Sequence, residues 1–205
     1  MTLFYLPTLL TLLRLLLVPV IMWLIVTDEL LAAFVIFLTA GLTDALDGFL
    51  ARRFGWETTL GAYLDALADK ALLVSVYATL GFFGHLPTWL VILVINRDVL
   101  IIGAVLLTWL LGRKIDINPT RLSKLNTVIQ ITLAALILAK RGIPIDLATA
   151  ETLLIWTCGL TTVLSAALYM AIWFRRMAVY DRQDRQRHVS DIAGNDFVKN
   201  GQDQT

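Results

Sequence analysis

Cysteine, net charge and repeats are what this sequence has least of. Cys158 stands alone among 205 residues, so no intramolecular disulfide can form, and cysteine usage does not report the compartment. Its place inside an apolar run predicts a packing role. The formal net charge is only +1, which leaves no strongly basic surface for nucleic acid. Charged residues make up 16% of the chain and fall in short clusters between apolar runs, so charge reports topology rather than a polyanionic partner. No repeat of fixed period and no low-complexity segment divides the sequence, which predicts one membrane domain over residues 1–180. Residues 181–205 are rich in Arg, Gln and Asp without apolar periodicity, and read as a polar cytoplasmic tail, short and amphipathic or disordered. The first apolar stretch carries no small-residue cleavage site, so it is expected to be a retained span.

What the chain does have is apolar surface. Hydrophobic residues reach 58% and the mean hydropathy is +0.76, more than one soluble core of this size requires, and the excess is expected to face lipid. Six stretches approach the roughly 20 residues that cross a hydrocarbon core as a helix. They run about Leu6 to Val26, Leu30 to Leu50, Leu60 to Phe83, Pro87 to Leu111, Leu125 to Ala139 and Thr152 to Phe174. The fifth is the shortest, and its start is expected further back, near Thr120. An all-α integral membrane bundle of six helices is the predicted fold. Arg52, Arg53, Arg113, Lys114, Arg121, Lys124, Arg175, Arg176, Arg182, Arg185 and Arg187 fall on one side, against Asp28, Glu29, His85, Lys140 and Arg141 on the other. By the positive-inside rule both termini are cytoplasmic. A bacterial inner membrane, with the site facing the cytoplasm, is the expected location. Trp23, Trp56, Trp89 and Trp173 fit interfacial anchoring.

The informative residues are charges at the ends of apolar helices. Asp44 and Asp47 close the second span, and Asp65 and Asp69 open the third. Ionisable groups at membrane depth cost several kcal/mol unless paired, metal-bound or wet, so each is a functional candidate. Asp44 and Asp47 are i and i+3, with Gly48, Ala51 and Arg52 continuing that face; Asp65 and Asp69 are i and i+4, with Gly61 one turn earlier. The connection between the two helices is short, which makes them antiparallel neighbours and brings all four carboxylates together near the cytoplasmic surface. Four converging carboxylates repel one another and require cations. Oxygen ligands suit Mg2+ or Mn2+, which in turn suit a diphosphate substrate. Gly48, Ala51 and Gly61 leave room for a bulky ligand, and Arg52 offers a phosphate contact.

From Asp44 to Asp69 the sequence reads D-x-x-D-G-x-x-A-R, eight residues, then G-x-x-x-D-x-x-x-D. This resembles the full signature of the CDP-alcohol phosphatidyltransferase family. The resemblance implies a six-helix membrane fold, usually a homodimer, with a site open to cytosol and lipid together. It also implies that Asp44, Asp47 and Asp65 hold metal, with Asp69 a further ligand and the proposed catalytic base. Asp44, Asp47, Gly48, Ala51, Arg52 and Gly61 match positions around the CDP group. Pro7 to Arg14 resembles the family's P-N-x-L-T-x-x-R opening, with Thr8 where Asn is usual. Arg14 is expected to find an acidic or phosphate partner, or to snorkel to the interface. Arg97 and Asp98 interrupt the fourth span, either as an interhelical ion-pair network or with Arg97 on an acceptor phosphate. Arg121 and Lys124 sit where an anionic acceptor would enter, or simply set topology. Residues 119–130 read P-T-x-x-S-K-x-N-T-x-x-Q, similar to CMP-forming cardiolipin synthases of the eukaryotic type; phosphatidylglycerophosphate synthases tend to carry G-K-x-K-T there.

The substrates implied are CDP-diacylglycerol and an anionic alcohol, with phosphatidylglycerol the first choice of acceptor and glycerol 3-phosphate the alternative. The competing classes fit less well. Membrane prenyltransferases need two separated D-x-x-x-D or D-D-x-x-D motifs, and a proton-coupled transporter places its acidic relay near mid-membrane on broken helices.

Overall fold

The computed structural model describes the backbone of residues 6–54, 59–111, 121–140 and 147–202, and side chains within residues 11–44, 65, 67–108, 110–111, 121–140 and 147–178. Among these residues the chain is all-helical: α1 (Leu6–Val26), α2 (Leu30–Phe54), α3 (Thr59–Phe82), α4 (Thr88–Leu110), α5 (Arg121–Ala139) and α6 (Ala148–Gln202). α1 packs on α2 and α3, while α6 packs on α4 and α5; contacts of α2 and α3 with α5, and of α3 with α4, join the two groups.

Two tight turns set the register of the first four helices. After α1, Glu29 N donates to Leu24 O at 2.8 Å and Asp28 N to Ile25 O at 3.1 Å, with Asp28 at φ 63°. This is the Schellman pattern, in which a left-handed residue closes the helix and satisfies its last carbonyls. α3 ends the same way, His85 N donating to Leu80 O at 2.8 Å and Gly84 N to Gly81 O at 3.2 Å, with Gly84 at φ 77°. Arg14, Asp44 and Asp69 each lie roughly fourteen to sixteen residues from their turn, about 21–24 Å along a helix. Equal arms on three neighbouring helices bring the three charged residues to one level.

Between the turns and that level lies the apolar core. Ile21 and Ile25 of α1, Ala33 of α2, Val76, Tyr77 and Leu80 of α3, Leu90 and Val94 of α4, Leu133 and Leu138 of α5 and Cys158 of α6 are all buried in one cluster. Cys158 has the packing role expected of it, with its Sγ 3.8 Å from Tyr77 Oη. Close approach needs small residues: a Cβ on Gly81 would stand 2.6 Å from Val91 Cγ2, and one on Gly159 2.9 Å from the Trp89 ring. The outer face is equally apolar, with Leu16, Trp23, Phe82, Leu110, Trp156 and Leu160 all exposed. A surface of this kind belongs in lipid. Three helical stretches, Thr88–Thr108, Arg121–Ala139 and Ala148–Ala178, are long and apolar enough to cross a membrane; Thr11–Val26 and Leu30–Asp44 are shorter apolar stretches.

α5 begins at Arg121, close to the start expected near Thr120, so the short fifth span gains its length at the basic end. Two features depart from the sequence expectation. α6 continues to Gln202, through the region expected as an amphipathic or disordered tail. No Pro or Gly interrupts residues 160–193, so the sequence there holds no strong helix breaker. Trp173, expected at the interface, is buried instead, where its Nε1 donates to Thr108 Oγ1 of α4 at 3.0 Å.

The left-handed turn after α3 is a testable joint. A β-branched residue there is disfavoured by about 1–2 kcal/mol, so Gly84→Val should lower the thermal unfolding midpoint in detergent while helical circular dichroism is retained. An unchanged midpoint would show that this turn does not set the α3–α4 register.

Candidate active site

α1, α2 and α3 each send charge to the level described above. Thr11 and Arg14, at i and i+3, share one face of α1, and Asp65 and Asp69, at i and i+4, share one face of α3. Arg14 Nη1 donates to Asp69 Oδ1 at 2.6 Å and to Asp65 Oδ1 at 3.0 Å, while its Nη2 donates to Asp44 Oδ1. Thr11 Oγ1 adds a longer contact to Asp65 Oδ1 at 3.5 Å. The Arg14 side chain is 5% exposed, whereas those of Asp44, Asp65 and Asp69 are 27%, 39% and 50% exposed. The cation is therefore the buried floor of the cluster, and the carboxylates are its open rim.

The three aspartates each offer an oxygen, and these oxygens all lie within 4.8 Å of one another. Three carboxylates against one guanidinium leave a formal charge of −2. An all-oxygen donor set with that residual charge fits a hard divalent cation such as Mg2+ or Mn2+. Of the four aspartates expected to converge, Asp44 of α2 and Asp65 and Asp69 of α3 come together, and Arg14 of α1 takes acidic partners, one of the outcomes expected of it. Asp47, Gly48, Ala51, Arg52 and Gly61 lie on α2 and α3, but their side chains fall outside the described residues.

A second polar cluster sits where α3 meets α4, α5 and α6. Asp98 accepts from Arg97 Nη1 at 2.6 Å and from Lys70 Nζ at 2.8 Å to each carboxylate oxygen. Arg97 Nη2 donates to Ser165 Oγ at 3.1 Å and to Ser123 Oγ. Of the two roles considered for Arg97, the interhelical network is the one in which it is engaged. One α-helical turn along α5, Asn126 Oδ1 accepts from Thr161 at 2.8 Å and Thr162 at 3.0 Å. Arg121 and Lys124 stand exposed on the first turn of α5. Sequence reading overlooked Lys70, Thr11 and Ser165. Lys70 was detectable, as a cation following Asp69 in an otherwise apolar helix, but its partner lies 28 residues away.

Comparison with known proteins agrees with this geometry. The family model described as CDP-alcohol phosphatidyltransferase matches residues 4–176. The chain belongs to the CDP-alcohol phosphatidyltransferase family. It is 36% identical over 183 residues to the cardiolipin synthase (CMP-forming) / mitochondrial hydrolase fusion protein of Schizosaccharomyces pombe, which covers 81% of this chain and 30% of that protein. Human cardiolipin synthase (CMP-forming) is 36% identical over 149 residues, 65% of this chain and 50% of the human protein. The CDP-diacylglycerol--glycerol-3-phosphate 3-phosphatidyltransferase of Escherichia coli K12 is also 36% identical, over 154 residues, 71% of this chain and 82% of that enzyme. The chain thus spans half or less of the cardiolipin synthases it matches, and most of the bacterial relative. Both aspartate pairs of the CDP-alcohol phosphatidyltransferase signature lie inside the matched region.

If Arg14 is the floor that offsets the rim carboxylates, removing it leaves three like charges together. Arg14→Leu should lower the thermal midpoint in EDTA and enlarge the stabilisation gained on adding Mg2+ or Mn2+, relative to the unaltered chain. Equal metal-dependent shifts in the two proteins would separate Arg14 from the cluster's charge balance.

Proposed function

We propose that this chain transfers a phosphatidyl group from CDP-diacylglycerol to an anionic alcohol with release of CMP, the acceptor being phosphatidylglycerol and the product cardiolipin. The observation that carries the reading is the convergence of the Asp44, Asp65 and Asp69 oxygens on one point. Asp44, Asp47, Asp65 and Asp69 would hold Mg2+ or Mn2+, whose chemistry when bound is to neutralise the donor diphosphate and the departing CMP. The chain's own residues do the rest. Asp44, Asp47, Gly48, Ala51, Arg52 and Gly61 surround the CDP group, with Arg52 on phosphate. Asp69, the most exposed of the three rim carboxylates, takes the proton from the acceptor hydroxyl as its oxygen attacks the lipid-bearing phosphorus. CMP leaves on its own phosphate, so atoms balance without a covalent enzyme intermediate.

Residues 119–130 and the similarity to cardiolipin synthases favour the lipid acceptor. The similarity to the E. coli enzyme, matched over most of its length, favours glycerol 3-phosphate as the second reading. In both, Arg97, Arg121 and Lys124 are on the acceptor side of the site. Six membrane spans, cytoplasmic termini, a site open to cytoplasm and lipid in a bacterial inner membrane, and a homodimer complete the reading; the basic residues near Arg52, Arg121 and Arg175 support the orientation.

Purified protein supplied with CDP-diacylglycerol, Mg2+ and each acceptor in turn should give cardiolipin, identified by mass spectrometry, and CMP. Asp44→Asn or Asp65→Asn should each remove nearly all CMP release, as should EDTA. Phosphatidylglycerophosphate as the sole product would transfer the assignment to the second reading, and near-normal turnover in both Asn variants would overturn the site.

A further inference from the structure

The Asp98 cluster carries one more cation than its own stability calls for. Asp98 and Arg97 are deeply buried, with side chains 4% and 2% exposed, and a buried carboxylate needs a counterion. Arg97 already supplies it at 2.6 Å. Lys70 then adds a second cation on the same carboxylate, and its side chain is 35% exposed. The three groups therefore sum to a formal +1, and Lys70 is the member that reaches the surface. An ammonium has three donors, and Asp98 receives two contacts from this one, which fixes its direction. Lys70 follows Asp69 directly in α3, so it lies a hundred degrees round the helix from a carboxylate of the site. Through Asp98 and Arg97 it is tied to Ser123, two residues from Arg121 and one from Lys124.

We infer that Lys70 is a substrate-binding residue that takes the phosphate of the anionic acceptor, with Asp98 and Arg97 as positioning residues that aim it. This rests on the phosphatidyltransferase reading and extends it to residues outside the aspartate signature. The recognised chemistry is a phosphate anion beside a free hydroxyl, whether a phosphodiester in the lipid headgroup of phosphatidylglycerol or the monoester of glycerol 3-phosphate. A hydroxyl held that way stands beside Asp69 while its phosphate rests on the cation one residue on. Lys70→Gln leaves Arg97 and Asp98 as a neutral pair, so the buried part of the network survives the substitution.

The test is steady-state CMP release with each acceptor, varying acceptor and CDP-diacylglycerol separately, for the unaltered chain, Lys70→Gln, Lys70→Arg and Asp98→Asn. With the acceptor that is turned over, Lys70→Gln should raise the acceptor KM about tenfold while the KM for CDP-diacylglycerol stays within about twofold. Lys70→Arg should recover most of the loss, and Asp98→Asn, which keeps both cations but loosens their direction, should raise the acceptor KM in the same selective way. An unchanged acceptor KM in Lys70→Gln, or an equal rise for both substrates, would overturn the inference while leaving the aspartate site intact. Should Lys70→Gln fail to fold, an acceptor KM unaltered in Asp98→Asn would overturn it, and a selective rise there would uphold it. No CMP release from the unaltered chain with either acceptor would remove the functional reading and this inference together.

Discussion

The contact on which the rest depends is the Arg14 guanidinium beneath three aspartates. It is one cation from α1 shared by carboxylates of α2 and α3, so three helices must keep a common register for any of those charges to be tolerable. Removing one partner from such a group leaves uncompensated charge in a low-dielectric setting, which costs more than the pair itself contributes. The Schellman turns after α1 and α3 follow as a requirement, because a slip of one residue in either turn would rotate Arg14 or Asp69 by about 100° off the shared point. Even the apolar core serves the register, since Ile21, Val76 and Leu80 fill the space between turn and site.

The same electrostatic rule organises the other half of the bundle with different residues. Asp98 is almost wholly enclosed, and cations from α3 and α4 meet it there. Neutral polar pairs extend the seam along α5 and α6, where Asn126 receives two threonine hydroxyls. In hydrocarbon such contacts hold helices together without much apolar driving force, because lipid is as apolar as the core. The two charged clusters differ in sign. The first is negative and open, the second positive and mostly closed.

The sequence made much of this visible because charge is conspicuous against an apolar background. Asp44, Asp65 and Asp69 were readable as one site from spacing, and hydropathy placed the bounds of α1 to α5 and the start of α6 to within a few residues. Arg14 was readable as needing a partner, though not which one, since its partners lie 30, 51 and 55 residues away. Hydropathy gave no sign that the polar segment after Phe174 would continue as helix, because that segment carries no apolar periodicity to read. Trp173 was misplaced for a related reason: a tryptophan near a span end satisfies the anchoring pattern equally well when it points inward to Thr108. Lys70 was hidden by its neighbour, since Asp69 accounted for the charge at that turn.

Equal identity, 36%, to a protein named cardiolipin synthase and to one named for glycerol 3-phosphate fits the way the helices divide their charged groups. α1, α2 and α3 supply the carboxylates and their counterion, which on the proposed function act on the diphosphate of the donor. α4, α5 and α6 contribute Asp98, Arg97, Ser123 and Ser165, and meet α3 at Lys70. On that reading, a phosphate-bearing acceptor that arrives from lipid and one that arrives from water would present the same anion and hydroxyl at that junction. They differ in the bulk attached behind the phosphate. On the proposed function, what would tell them apart is the room for that bulk rather than the charge pattern, which both would share. On that division, selection can change the acceptor without disturbing the carboxylates, and overall identity alone is a poor guide to which acceptor a given chain uses.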